Sequence, residues 1–129
     1  MKLLLDTHVF LWLDSALERV PQGVRAACED GANEVFLSLA SVWEMQIKTS
    51  LGKLRLPDTP VNLVTPYFNR STLRALPVEL AHIRELGGLP ANHGDPFDCM
   101  LVAQARYEGL ILVTADRVMR EYPVEVLWE

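Results

Sequence analysis

Four acidic residues occupy places in the sequence where carboxylates can meet. Asp6 directly follows the apolar run KLLL, and Asp116 lies just after the apolar run LILVT. Short runs of this kind predict buried strands that end where the acid begins. Glu44 and Asp98 lie in the first turns of predicted helices. Because ligands of parallel sheets bind outside the carboxyl ends of the strands, the four side chains can converge on one edge.

The chemistry that such a set of carboxylates supports is the binding of a hard divalent cation. Several negative groups in a partly buried site repel one another strongly, and protonation or a bound cation must relieve the repulsion. Oxygen ligands alone select Mg²⁺ or Mn²⁺, and the set has room for one or two ions. Two ions would allow in-line cleavage of a phosphodiester by a metal-activated water. Thr7 and Thr114 supply hydroxyls that can orient a carboxylate or a bound water.

Each acid also fits a purely structural role at a helix start. Ser41 and Glu44 match the S-x-x-E capping box, in which the acid only satisfies a backbone donor. Asp95 matches an N-cap before Pro96, and Asp98 matches an acid in the first turn that the helix dipole favours. Spacing favours capping for Asp95 and leaves the roles of Glu44 and Asp98 open.

The two aspartates that follow strands have capping alternatives as well. Asp6 can cap a helix that begins near Val9, and Asp116 can cap a short helix that begins near Arg117. An acid directly after a buried strand is informative without being specific to one function. The sequence therefore predicts a site at this edge with both alternatives open.

Length and composition limit what else the chain can be. Its 129 residues are half hydrophobic, which predicts one domain over residues 1–129 with a sizeable core. The 17 acidic and 12 basic residues give a net charge of −5, which excludes a globally basic surface for nucleic acid. No apolar run approaches the roughly 20 residues that cross a bilayer. Cys28 and Cys99 lack metal-ligand spacing, and no signal-peptide pattern is present, so we expect free thiols and a cytoplasmic location.

Apolar runs and turn signals predict strands that alternate with helices. The predicted strands are Lys2–Leu5, Glu34–Leu39, Leu73–Val78, Leu110–Thr114 and Val124–Trp128. The first of them is expected at the centre of the sheet and the third at an edge. The predicted helical segments are Val9–Leu13, Leu17–Asp30, a helix from Ser38 or Ser41 to about Leu51, Glu79–Leu86, Phe97–Tyr107 and Arg117–Tyr122. Helices in the proline-rich segment are expected to begin or end at Pro57, Pro60 and Pro66. The alternation predicts an α/β fold with a parallel sheet and helices on both faces.

Histidines and tryptophans carry weaker signals. His82 lies in a short amphipathic helix, which indicates a surface or packing role. His8 and His93 lie near the predicted edge, where they can contact a phosphate or a leaving group. The three tryptophans fall in apolar stretches and are expected to be core or interface anchors: Trp12, Trp43 and Trp128.

Four segments of the chain together resemble one known family. They are LLLDTHVFLW, SVWEMQIK, HGDPFDCMLVAQA and LVTAD, and the match runs from Leu3 to Trp128 with the four acids in order. The chain resembles the PIN-domain family and is similar to the VapC-like toxin ribonucleases of type II toxin-antitoxin modules. The resemblance implies a three-layer α/β/α PIN-like domain with a small parallel central sheet. It also implies an endoribonuclease that depends on Mg²⁺ or Mn²⁺.

The resemblance assigns a role to each acid of the cluster. It implies catalytic roles for Asp6, Glu44, Asp98 and Asp116. Three of them, Asp6, Asp98 and Asp116, would bind the metal, and Glu44 would be a further ligand or a base that orients water. Supporting roles are expected for Thr7, Thr114, Asp95 and Arg117.

The resemblance also implies partners. We expect an RNA substrate, with tRNA among the structured RNAs considered, a cognate antitoxin that covers the acidic pocket, and a homodimer. Cys99 departs from the family pattern, since related sequences often carry arginine after the DPFD aspartate. If that arginine contacts RNA phosphate, Arg106 or Arg117 is expected to compensate for it here.

Other functions fit the sequence less well. A phosphotransfer receiver domain needs a lysine after the penultimate strand region, and the lysines are Lys2, Lys48 and Lys53. The P-loop pattern G-x-x-x-x-G-K-[ST] is absent. A PIN-like module that binds RNA or protein without catalysis stays as the alternative, although the four acids argue against it.

Overall fold

A five-stranded parallel sheet forms the centre of the molecule. The computed structural model describes residues 1–90 and 94–129, and the strands lie in the order β3-β2-β1-β4-β5. Their bounds are β1 Lys2–Leu5, β2 Glu34–Ser38, β3 Arg74–Leu76, β4 Ile111–Val113 and β5 Val126–Leu127. Every strand pair is parallel, β1 is central and β3 lies at an edge, as predicted. The strands β3 and β5 are shorter than the sequence predicts.

Within residues 1–90 and 94–129, six helices and two 3₁₀ segments connect these strands. The helices are α1 Thr7–Ser15, α2 Gln22–Glu29, α3 Leu39–Ser50, α4 Pro60–Asn69, α5 Leu80–Leu86 and α6 Pro96–Glu108. The 3₁₀ segments are Leu17–Arg19 and Arg117–Glu121. In the described parts of the chain, no helix has the length and apolar character that crossing a membrane requires.

Both faces of the sheet are buried, which produces the three layers. Leu3 and Leu5 of β1 pack into one cluster with Phe10 and other side chains from α1 to α4. Leu4 points to the opposite face and packs into a second cluster with Leu101 of α6. Successive side chains of a strand alternate between faces, so this short strand anchors both cores. All three leucines are fully buried, and each contributes about 1.5–3 kcal/mol of hydrophobic stabilisation. The predicted three-layer α/β/α fold is therefore confirmed.

The order of the strands places the ends of β2, β1 and β4 side by side. In the register of the sheet, Leu5 pairs with Leu37 on one side and with Val113 on the other. The Asp6 N–H donates to the Val113 carbonyl at 2.9 Å. As a result, Asp6 and Thr114 leave the sheet next to each other, and α3 begins directly after β2 at the same edge.

The helix α1 begins earlier than predicted, and α3 begins at the earlier of its two predicted starts. The helix α1 begins at Thr7 rather than near Val9. The helix α3 begins at Leu39, and the Ser38 hydroxyl accepts a backbone N–H there at 3.0 Å. Of the two predicted starts of α3, Ser38 is confirmed and Ser41 is wrong. The early start moves the acid of α3 out of the first turn.

The helix α4 contradicts the prediction that every proline of its segment bounds a helix. Pro60 occupies the first turn as expected, but Pro66 lies inside the helix. A proline in the interior removes a backbone hydrogen bond and costs about 3 kcal/mol. Tertiary contacts lie close to it on both sides, because Val64 is buried in the core and the Tyr67 hydroxyl donates to Asp14 of α1. These contacts hold a helix that local sequence rules disfavour.

The helix α6 follows its sequence signals closely. The Asp95 carboxylate accepts hydrogen bonds from the backbone N–H groups of Phe97 at 2.8 Å and Asp98 at 3.3 Å. Pro96 occupies the first helical position, where its missing N–H is not needed. Gly109 ends the helix with a φ of 70°, in the left-handed region that glycine favours. The predicted cap, first residue and stop are all confirmed.

Gly109 lies between α6 and β4, so its conformation affects how the strand enters the sheet. We expect Gly109→Ala to lower the free energy of unfolding by about 1 kcal/mol, because a side chain is strained at positive φ. Gly23 lies in α2 with open space at its Cβ position, and Gly23→Ala is expected to raise the free energy by up to about 1 kcal/mol. Urea denaturation of both variants checks the opposite signs. Equal effects would contradict the αL assignment at position 109.

Candidate active site

An open pocket of about 440 Å³ lies at the carboxyl edge of the sheet. Its lining residues come from the ends of β1 and β4 and from α1, α3 and α6. They are Asp6, His8, Trp12, Glu44, Lys48, Asp95, Asp98, Ala115 and Asp116. All four predicted acids, together with the N-cap aspartate of α6, therefore line one pocket. The identities and the place match the sequence prediction, whereas their functional roles stay a prediction.

Asp6 is buried at the end of the central strand and does not cap a helix. It stands at the N-cap position of α1, yet its side chain makes no capping hydrogen bond. Instead, its Oδ2 accepts a hydrogen bond from the Thr114 hydroxyl at 2.7 Å. The same hydroxyl accepts the Asp116 N–H at 3.1 Å, so it orients two acids of the pocket at once. The capping alternative for Asp6 is therefore wrong.

Glu44 is also buried, and both of its oxygens have partners. It lies in the second turn of α3, where it cannot form the predicted capping box with Ser41. Its Oε1 accepts a hydrogen bond from the Thr7 hydroxyl at 2.7 Å. Its Oε2 accepts from the Lys48 ammonium at 2.5 Å. These two bonds point the carboxylate into the pocket instead of toward its own backbone.

Two other acids do cap helices. Asp95 caps α6, as described above, and the Asp116 Oδ1 accepts the Val118 N–H at 3.0 Å. The capping alternative is thus confirmed for these two aspartates. Asp98 lies in the first turn of α6, as predicted. Capping engages one carboxylate oxygen in each case, so it is compatible with a place on the pocket wall.

Burial, with a smaller contribution from the neighbouring acids, raises the pKa of two carboxyls in the pocket. Burial raises the pKa of Asp98 to about 7, and the negative charges of Asp95, Asp6, Glu44 and Asp116 add to the shift. Burial also raises the pKa of Asp6, although the Thr114 hydrogen bond and nearby His8 act in the opposite direction. In both cases burial disfavours the charged carboxylate, and the nearby negative charges disfavour it further.

The chemistry of this donor set fits a divalent cation. Every acidic ligand is an oxygen donor, and a cation would favour the charged form of the two carboxyls whose pKa is raised. Among the described residues, no three carboxylates of this pocket have oxygens mutually within 4.8 Å. Carboxylates at this spacing would leave a bound hard divalent cation several waters among its ligands.

A second cluster has ligand atoms close enough for a metal but the wrong proton arrangement. Atoms of Glu79, His82 and Glu108 lie within 4.8 Å of one another. However, the His82 Nδ1 accepts the Glu79 N–H at 3.0 Å, which places the ring proton on Nε2. That nitrogen is 2.8 Å from the Glu108 Oε2 and donates to it. The buried histidine is therefore a structural link between α5 and α6, as its predicted packing role implies.

The structure also places the weaker candidates. His8 lines the pocket, whereas the prediction for His93 lies outside the described residues. Trp12 and Trp128 are partly buried with ring centroids 5.9 Å apart, which agrees with their predicted anchoring role. Trp43 is 62% exposed and its ring packs edge-on against the Phe97 ring, so it does not lie in the core, and its role as an interface anchor stays a prediction.

The cations expected beside the pocket are placed differently from the prediction. Arg106 is held by Glu85 and by the Pro123 carbonyl, away from the acids. Arg117 is exposed on the 3₁₀ segment and does not line the pocket. Cys99, where related sequences often carry arginine, packs against the α6 side of the core. The cation that does line the pocket is Lys48, which the sequence analysis missed; its spacing of four residues from Glu44 on one helix was the available signal.

A family model named PIN domain matches residues 3–125 of the chain. The chain belongs to the PIN domain family. The PIN domain is also 36% identical over 70 residues to Ribonuclease VapC16 of Mycobacterium tuberculosis, which covers 53% of this chain and 50% of that protein. The match thus spans about half the length of this curated relative.

Solved structures share the fold of this PIN domain. VapBC2 from Rickettsia felis, solved bound to a DNA fragment from its promoter, superposes with a TM-score of 0.73 at 15% identity, covering 100% of both chains. DNA-bound VapBC from Salmonella typhimurium gives 0.69 at 18% identity, covering 98% of this chain and 97% of that one. At these identities, the likeness is one of fold.

The raised pKa of Asp98 makes the stability of the cation-free protein depend on pH. Its folded-state pKa of about 7 lies above the ordinary value of 3.8, so the native state binds the proton more tightly. The contribution of this group to stability therefore falls as pH rises from about 4 to 7. We expect Asp98→Asn to melt about 3–6 °C above the wild type at pH 8 in a chelator.

Thermal melts at pH 5, 6, 7 and 8 check this expectation, with Asp30→Asn as a control because Asp30 lies on an exposed turn outside the pocket. The gap between Asp98→Asn and the wild type should shrink as the pH falls. A gap that is the same at every pH would show that the Asp98 carboxyl titrates normally.

Proposed function

We propose that this PIN domain is a metal-dependent endoribonuclease that acts as the toxin of a toxin-antitoxin pair. The observation that carries the proposal is the convergence of five carboxylates on one pocket, where burial, together with the neighbouring charges, raises the pKa of Asp98 to about 7. A folded protein gains no stability from such repulsion, so the arrangement favours a functional role. The family, with a ribonuclease among its members, supports RNA cleavage as that role.

In this proposal, Asp6, Asp98 and Asp116 hold Mg²⁺ or Mn²⁺, and Glu44 is a further ligand or orients the attacking water. When bound, the cation supplies an activated water and neutralises the negative charge that develops on the phosphate. All other roles in the reaction are assigned to side chains of the protein.

The hydroxyls on either side of the pocket fix the carboxylates. Thr114 donates to Asp6 and accepts from the backbone at Asp116, so it couples the ends of β1 and β4. Thr7 donates to Glu44 and couples α1 to α3. Such partners hold the orientation of metal-binding carboxylates. In this way, the proposed supporting role of both threonines rests on their contacts.

The remaining supporting residues act at the rim. Asp95 lines the pocket and adds to the charge that raises the pKa of Asp98, so a role at the cation edge is consistent with its place. Arg117 does not line the pocket, and a role for it requires RNA that extends beyond the acids. We propose that His8 contacts RNA near the pocket, because its exposed ring lies on the pocket wall.

The substrate that best suits this pocket is RNA with an unpaired segment. The net charge of −5 disfavours a long electrostatic track for RNA, so contact is local. A single-stranded or looped stretch, as found in tRNA and other structured RNAs, can splay its backbone into an edge pocket. A duplex would present both of its strands to an acidic surface.

The proposed partners are a cognate antitoxin and a second copy of the chain. Two solved structures with the same fold are named as VapBC complexes bound to DNA, which supports a protein partner for this chain. A basic side chain of an antitoxin would complement the acidic pocket and neutralise it. We place the protein in the cytoplasm, where its RNA substrates lie.

The catalytic assignment is tested by cleavage of a pool of cellular RNAs with Mg²⁺, Mn²⁺ or a chelator. We expect the wild type to cleave RNA only with a divalent ion. Asp6→Asn and Asp116→Asn should each lower the rate by about 100-fold or more, since the charge of a ligand is lost. Asp30→Asn, a matched change on an exposed turn, should cleave like the wild type.

The outcomes separate the proposal from its alternative. Full metal-dependent activity in Asp6→Asn would show that the acids are wrongly assigned. A folded wild type that binds RNA without cleaving it under any of the three conditions would favour the non-catalytic binding module.

A further inference from the structure

Lys48 is distinguished by its position among the basic residues of the described chain. It is the one lysine or arginine among the residues that line the acidic pocket. Its side chain is 34% exposed, whereas that of its partner Glu44 is 3% exposed. The Lys48 ammonium therefore lies beside the buried Glu44 carboxylate and is also accessible to solvent.

The ammonium has hydrogen-bonding capacity to spare. An ammonium group offers three N–H donors. In the described residues, Glu44 is its one hydrogen-bond partner, at 2.5 Å. Thr7 fixes the other oxygen of Glu44, which restricts where the ion pair can lie. Glu44 thus holds Lys48 at the pocket and leaves other donors for a ligand.

Two arginines that do not line the pocket have partners of their own. The Arg19 guanidinium stacks on the Trp12 ring at 4.4 Å. Arg106 binds Glu85 and the Pro123 carbonyl, and it does not line the pocket. A phosphate that enters the pocket meets several carboxylates, the His8 ring and a single lysine, so its attraction to the protein's own side chains depends strongly on that lysine.

We propose that Lys48 binds a non-bridging phosphate oxygen of the RNA in the pocket, with Glu44 as the residue that positions its ammonium. This inference rests on the proposed function, because it names the protein group that receives the RNA backbone. A lysine ammonium binds phosphate as a point charge through a short, charge-assisted hydrogen bond. Lys48 is here a substrate-binding residue, and Glu44 acts on the phosphate through it.

A simpler explanation makes a different prediction. If Lys48 only neutralises Glu44, its loss lowers stability by leaving a buried carboxylate unpaired, and any loss of RNA affinity disappears in the Glu44→Gln background, where that charge is absent. Binding through a phosphate contact instead makes the RNA affinity depend on the salt concentration. Each phosphate contact on single-stranded nucleic acid adds about 0.7 to the slope of log affinity against log salt. The slope therefore distinguishes the two roles.

The experiment measures fluorescence anisotropy of a labelled, single-stranded 12-nucleotide RNA of mixed sequence. Ca²⁺ replaces Mg²⁺, and a denaturing gel checks that the RNA stays intact. We compare the wild type with Lys48→Gln, Lys48→Arg and Lys53→Gln, the last being a matched change of an exposed lysine outside the pocket. Lys48→Gln is repeated in the Glu44→Gln background, where no buried charge is left unpaired.

We expect Lys48→Gln to weaken RNA binding about tenfold at low salt and to reduce the salt slope by about 0.7. In the Glu44→Gln background, where the ammonium is no longer held, the same change should weaken binding in the same direction but by less. Lys48→Arg should restore most of the affinity, and Lys53→Gln should bind within about twofold of the wild type. Unchanged affinity and slope for Lys48→Gln with a lower melting temperature, or a loss of affinity that disappears in the Glu44→Gln background, would overturn the inference and leave the proposed function standing. A wild type that binds no RNA would overturn both.

Discussion

Repulsion between carboxylates held at one edge of the sheet is the constraint on which the rest of the site depends. Burial and the surrounding charges together raise the pKa of Asp98, while burial alone is the main cause for Asp6. The contacts of the site reduce this cost in different ways. Thr114 donates to Asp6, and Lys48 donates to Glu44. These contacts orient the acids without neutralising all of them, so the pocket remains negatively charged. A divalent cation, free or bound to RNA, can neutralise that charge.

The fold makes the repulsion unavoidable by fixing the acids from both sides. The alternating leucines of β1 are buried in two separate cores, so Asp6 cannot retreat from the edge without disturbing both layers. Strand order then brings β2 and β4 next to β1, together with the segments that follow them. The cap at Asp95 fixes the first turn of α6, and therefore Asp98, at the same edge. The stabilising contacts therefore lie in the scaffold, and the repulsion between carboxylates is confined to the pocket.

The sequence predicted those parts of the molecule that local rules determine. The buried run before Asp6 and the cap, proline and glycine of α6 each specify a position independently of the rest of the chain. Tertiary contacts decided the other features. Pro66 lies inside a helix because neighbouring side chains pack against other elements and form hydrogen bonds with them. The Asp6 carboxylate does not cap α1 and instead accepts a hydrogen bond from the hydroxyl of Thr114, 108 residues away. Lys48 was missed because its importance comes from a pocket assembled by distant segments.

Direct binding of Mn²⁺, followed by the electron paramagnetic resonance signal of the free ion, tests the central claim most directly. The account predicts that the wild type and Asp30→Asn bind Mn²⁺ equally and that Asp6→Asn binds it much more weakly. Affinity should also fall as the pH drops below about 7, since Asp98 then takes up a proton. Binding that persists in Asp6→Asn and is lost in His82→Ala would contradict the account, because it would place the ion at the cluster between α5 and α6 instead.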